Sequence, residues 1–110
     1  PVNVFGHPTG RLINQRDGVE FDADKVFETA KQRGVLLEIN GQPSRMDLSD
    51  VHVHAAREIG CGFVISSDAH STEQLEYVKY GVINARRGWL EKRHVLNTKA
   101  VAQIEKILKR

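Results

Sequence analysis

Three short apolar runs, at residues 2–5, 35–39 and 63–66, break an otherwise mixed chain and read as strands. Between them the apolar positions recur with the 3.6-residue period of helices. In "FDADKVFETAKQRG", Ala23, Val26, Phe27 and Ala30 share one helical face. Asp22 is suited to cap that helix, Phe21 and Val26 to staple its entry, and Gly34 to end it. "DLSDVHVHAAREIG" repeats the design, with Leu48, Val51, Ala55 and Ile59 as the apolar stripe. Asp47 or Ser49 is its expected cap and Gly60 its stop. A shorter helix is predicted over 72–79. A last one, over 99–109, carries Ala100, Val101, Ile104, Ile107 and Leu108 on one side behind a Thr98 cap.

Strand and helix in alternation predict an α/β fold of parallel βα units. Near-continuous apolar strands predict a sheet covered on both faces. The loop over 6–20 is long for a strand-to-helix connection, and long structured loops at strand ends are often functional. A length of 110 residues is one domain, or a piece of a larger one. The opening "PVNVFG", with no initiator Met, leads us to expect a fragment or a processed product.

Composition changes little in this picture. No apolar run reaches the roughly 20 residues of a membrane span, so no membrane partner is expected. Cys61 is the single cysteine, which excludes an internal disulfide; without a signal peptide, a reducing cytoplasm is the expected location. Set between two glycines, Cys61 reads as a buried small hydrophobe. Charge is distributed unevenly: residues 1–85 hold eight basic and twelve acidic side chains, and residues 86–110 hold eight and two. A basic end on an acidic body suits a polyanion such as nucleic acid, or is simply a solvated Lys-rich face.

Candidate chemistry collects where the strands end, the position at which parallel βα folds build their sites. The first strand ends in "GHP" with His7, the second in "EIN" with Glu38 and Asn40, the third in "SDAH" with Asp68 and His70. Glu38 lies within a strand expected to be covered on two sides, where a carboxylate needs a cation or several donors. Imidazoles and carboxylates suit Zn²⁺, Mn²⁺ or Fe²⁺. Such ions activate water and neutralise phosphoryl oxygens, so phosphate-ester hydrolysis is the natural chemistry. Arg11 and Arg45, in the loops beyond the first two strands, are candidates to grip a substrate phosphate. Arg86 and Arg87, beside Trp89, suggest phosphate contacts and base stacking with DNA, although a lone Trp is more often core.

The "HVH" at His52 and His54 is not read as a metal motif. On a helix, residues two apart point away from each other and cannot share an ion. His52 is expected to pack beside the apolar stripe, His54 to lie on the polar side, and His94 to be a surface residue.

At "GHPTGRL", "LEIN" and "SDAH" the chain resembles the PHP domain, the polymerase-and-histidinol-phosphatase fold. "YGVINARRGWLEKRHVLNT" extends the likeness to the version at the C-terminus of bacterial and archaeal family X DNA polymerases, over nearly the whole chain. The resemblance implies the second half of a distorted (β/α)7 barrel with up to three metal ions, Mn²⁺ or Zn²⁺, at its C-terminal face. It implies a metal-dependent phosphoesterase that trims DNA 3′ ends as a 3′–5′ exonuclease, joined to polymerase domains in the parent chain. His7, Asp68 and His70 take ligand positions in this likeness; Glu38 would orient water or a ligand. The family's other ligands belong to an earlier H-x-H motif and to the first part of the barrel. A half-barrel would leave its first strand with an open edge, inviting a homodimer. Two further readings remain: a phosphomonoesterase like the histidinol phosphatases, and an inactive structural or DNA-positioning module.

Overall fold

Strand and helix alternate as the apolar pattern requires, in a computed structural model that describes residues 2–18 and 20–109. The order is β1 (Val4–Phe5), α1 (Ala23–Arg33), β2 (Leu36–Asn40), α2 (Asp50–Ile59), β3 (Phe63–Ser66), α3 (Val78–Arg87) and α4 (Val101–Leu108). Short 3₁₀ turns occupy Thr72–Tyr77, Lys92–His94 and Leu96–Thr98. The strands form one parallel sheet in the order β1-β2-β3, with Leu37 opposite Phe63 and Ile39 opposite Ile65. β1 is shorter than its apolar run suggested.

Local signals set the first two helices. Asp22 accepts the Lys25 amide at 3.2 Å, and Gly34 closes α1 in the left-handed conformation expected of it. Ser49, not Asp47, caps α2 through the His52 amide, and Gly60 ends it. The buried face of α2 also differs from the predicted stripe. Leu48 lies ahead of the helix, so a phase counted from it is displaced. Val53 and Ala56 are buried, whereas Val51 is 73% exposed.

One face of the sheet makes the core. Leu37, Ile39, Phe63 and Ile65 pack against Phe27 and Ala30 of α1, Val53 and Ala56 of α2, and Ala85 of α3. Each large side chain fully buried here contributes about 1.5–3 kcal/mol. The opposite face, bearing Leu36, Glu38, Val64 and Ser66, is only half-buried. The expectation of cover on both faces therefore fails among the described residues, because the three packing helices all lie on one side.

α3 runs well past the predicted 72–79 segment, which is itself a 3₁₀ turn leading into the helix. It sits close enough to the sheet that a Cβ on Gly41 would come within 2.2 Å of the Tyr77 carbonyl oxygen, so only glycine fits at the exit of β2. Asn84 anchors the same helix by donating to the Leu48 carbonyl at 2.8 Å.

The two edges of the sheet differ. Beside β3, the Asn97 side chain stands in for a strand: it accepts the Ile65 amide at 2.8 Å and donates to the Ile65 carbonyl at 2.9 Å. Beside β1 no further strand pairs among the described residues. Thr98 is not the cap of α4. Its hydroxyl lies on the carbonyls of Lys92 and Val95, and Gln103 accepts the Ala100 amide instead. The apolar stripe of α4 is real, but none of its residues is buried, and Val101 is 70% exposed. No helix is long and apolar enough to cross a membrane among the described residues.

Cys61 is buried as expected, its thiol donating to the Phe27 carbonyl. Burial pushes the thiol up to about 11 from an ordinary 9.0, against a smaller opposing pull from Lys31. The folded thiol therefore holds its proton more tightly than the unfolded one. Its contribution to stability is intact below pH 9.0 and is lost as pH rises toward about 11. Cys61 should resist a thiol reagent at about pH 8 in the native protein and react on unfolding in urea. Rapid labelling of the native chain would contradict this burial.

Candidate active site

The strand-end residues are joined by one hydrogen-bonded network. Glu38 projects from the middle of β2 onto the half-buried face, where its carboxylate meets three donors. Oε1 accepts the His7 amide at 2.6 Å and Asn40 Nδ2 at 3.3 Å, and Oε2 accepts the Ser66 hydroxyl. These donors meet the need of a half-buried carboxylate that the sequence predicted. Asn40, fully buried, then bridges to Asp68 by donating from Nδ2 to Oδ2 at 3.2 Å.

Asp68 and His70 sit in the loop after β3. Asp68 has a φ of 52°, a left-handed conformation uncommon for a side chain with Cβ and often found where function requires it. Its carbonyl accepts Gln42 Nε2 at 2.9 Å and His70 Nδ1 at 2.8 Å. Since a carbonyl can only accept, Nδ1 carries the hydrogen of this bond, leaving Nε2 as the ring nitrogen outside it. Ligating imidazoles are commonly oriented in this way. Gln74 completes the turn, accepting the His70 amide at 2.9 Å.

His7 also has a positive φ, 24°. Its backbone belongs to the network while its imidazole is exposed. The loop that follows is held by a residue the sequence reading had treated only as a possible cap. Asp47, fully buried, accepts the Gly10 amide at 2.8 Å and the Thr9 amide at 3.0 Å. No sequence signal separates such a carboxylate from a helix cap, because "MDLSD" satisfies both patterns.

The arginines divide by task. Arg11 donates from Nε to the Arg45 carbonyl at 2.8 Å and from Nη2 to the Met46 carbonyl at 2.6 Å. Its guanidinium therefore clasps two loops together. Arg45 stays beside the network, with Nε 3.9 Å from Asp68 Oδ2. Arg86 and Arg87 lie on α3; Arg87 pairs with Asp50 at 3.1 Å, and neither bonds to the strand-end network. Trp89 is 69% exposed, so the core reading of it is wrong. His52 packs among Phe21 and Phe27 as expected, and His54 meets Trp89. His94 accepts the Glu91 amide at Nδ1, and burial, with Arg93 and Arg57 nearby, lowers its pKa.

Asp68, His70 and Glu38 have the donor chemistry of a Mn²⁺ or Zn²⁺ site. Among the described residues, however, no three His, Cys, Asp or Glu side chains gather around a single point that could hold an ion. A cavity of about 520 Å³ opens beside the Arg11 loop, lined by Thr9, Phe21, Ser49 and His52 among others. It is separate from the network, since none of His7, Glu38, Asp68 or His70 lines it.

The chain is 44% identical over 109 of its residues to the DNA polymerase/3'-5' exonuclease PolX of Bacillus subtilis (strain 168). The match covers 99% of this chain and 19% of that protein, so the chain spans about a fifth of the relative's length. No family model matches the sequence.

Proposed function

We propose that the chain is part of a metal-dependent phosphoesterase of the PHP type, the second half of a (β/α)7 barrel attached to a family X DNA polymerase. Its work is the 3′–5′ removal of nucleotides from DNA ends. The observation that carries this reading is the Glu38–Asn40–Asp68–His70 network at the C-terminal ends of parallel strands. The likeness to a protein named as a polymerase and 3'-5' exonuclease supports it. The half-buried second face of the sheet and the open edge of β1 are consistent with further barrel strands beyond these 110 residues. The basic final quarter of the chain favours a polynucleotide over a small phosphate monoester.

In this reading His7, Asp68 and His70 contribute metal ligands, and the remaining donors come from outside the chain. A bound Mn²⁺ or Zn²⁺ would supply charge neutralisation at the phosphoryl oxygens and activation of water. Asn40 holds the Asp68 carboxylate, the Asp68 carbonyl orients the His70 ring, and Glu38 fixes the turn at His7. In the net hydrolysis, water adds at phosphorus and the P–O3′ bond breaks, freeing a nucleoside 5′-monophosphate.

The test uses the longer protein that carries this chain and a single-stranded oligonucleotide labelled at its 5′ end. We expect stepwise shortening from the 3′ end in Mn²⁺, its loss in EDTA, and its return when Mn²⁺ or Zn²⁺ is added back. Shortening that survives thorough chelation would remove the metal from the proposal.

A further inference from the structure

The turn after α3 places a tryptophan where folding alone gives no reason to put one. Gly88 lies so close to Val53 that a Cβ there would fall 2.3 Å from Val53 Cγ1. The chain then reverses through Trp89 at a φ of 69°, with the Trp89 amide on the Arg86 carbonyl at 2.9 Å and the Leu90 amide on the Ala85 carbonyl at 3.0 Å. Leu90 is thereby turned toward the core and the indole outward. A left-handed backbone is disfavoured for any residue with Cβ, and an exposed indole forgoes burial of the largest side chain. The two backbone bonds hold the left-handed turn, but nothing local compensates the exposure of the indole, whose N–H has no partner among the described residues.

Its surroundings point to a ligand class. His54 meets the indole edge-on, with ring centroids 5.3 Å apart and planes at 72°, steadying the ring while most of its surface stays in water. Asp50, Val51, His54, Arg87 and Trp89 border a shallow cavity of about 280 Å³. Arg86 and Arg87 occupy the last turn of α3, and Lys92 follows closely. Arg87 is paired with Asp50, while Arg86 and Lys92 have no carboxylate partner among the described residues. An open aromatic face flanked along the chain by cations without carboxylate partners suits single-stranded nucleic acid bound without regard to sequence.

We propose that Trp89 is a stacking platform for one base of a single-stranded polynucleotide, with Arg86 and Arg87 on the adjoining phosphates. This rests on the polynucleotide reading above and adds to it a subsite outside the strand-end network. The site holds the strand, and no bond is made or broken there.

Trp89 is the chain's single tryptophan, so its emission reports on this site alone. We would titrate the 110-residue chain with short oligothymidylate and oligodeoxyadenylate in EDTA, where no hydrolysis intervenes. Both should quench the emission saturably. By anisotropy of a labelled strand, Trp89→Ala should weaken binding about tenfold, and Trp89→Phe should restore most of it. Arg86→Gln should weaken binding and flatten its salt dependence. Absence of quenching, or unchanged affinity in Trp89→Ala, would overturn the proposal. So would an emission shift that tracks chain concentration without nucleic acid, which would assign the surface to a second copy. Loss of stacking alongside intact Mn²⁺-dependent shortening would reject this subsite alone; stacking without shortening would reject the strand-end reading alone.

Discussion

Asp68→Asn should lower Mn²⁺-dependent 3′ shortening by the longer protein about 10²–10³-fold while leaving the fold of this chain intact. The substitution keeps size and shape but removes the negative charge that would face a cation. The backbone of the turn should persist, because Gln42 and His70 bond the Asp68 carbonyl and not its side chain. Asn40 can still donate to the new amide oxygen, so the network can re-form around a neutral group. Urea denaturation should therefore change by less than about 1 kcal/mol. A variant that is folded and still shortens DNA at close to the parental rate would remove Asp68 from the metal site. Losses in both stability and activity would make Asp68 a structural residue.

Asp47→Ala should destabilise the chain by about 3 kcal/mol, a large share of the margin expected for a domain of this size. Two amides, those of Thr9 and Gly10, depend on its carboxylate in a fully buried setting. Alanine leaves both without an acceptor. Removing a buried carboxylate also relieves its desolvation, which is why the expected loss falls below the sum of two charge-assisted bonds. The effect should be local first. Hydrogen exchange at Thr9 and Gly10 should accelerate before the core amides of β2 and β3 respond. A change below about 1 kcal/mol would mean that the Arg11 clasp alone holds the loop.

The helix boundaries and the site were legible to different degrees. Asp22, Gly34, Ser49 and Gly60 act within a few residues of themselves, so their tasks can be read from neighbours in sequence. The extent of β3 and the placement of Glu38 and Asp68 at the same end of the sheet followed from apolar runs and from the rule that parallel strands end on one side. The contacts of Thr98, Arg11 and Trp89 were not legible, because each depends on partners outside its own element or on a turn set by packing. Thr98 is drawn to the Lys92 carbonyl, Arg11 to a loop 34 residues away, and Trp89 outward by Gly88 closing on Val53.

By itself the sequence determined that strands and helices alternate, that the sheet is parallel, and that imidazoles and carboxylates stand at its C-terminal ends. Those properties depend on periodicity and on short-range capping, which the order of residues encodes directly. Only the tertiary structure decided which polar groups meet. Asn40 bridges Glu38 to Asp68 because the parallel register sets Asn40 opposite Ser66. Asp47 serves the loop at Thr9 because the two loops leave adjacent strands on the same side. Likewise only packing decided that Trp89 is exposed and that α4 buries none of its apolar stripe. A side chain's partner depends on register and on the placement of other elements, and neither is a property of its own stretch of chain.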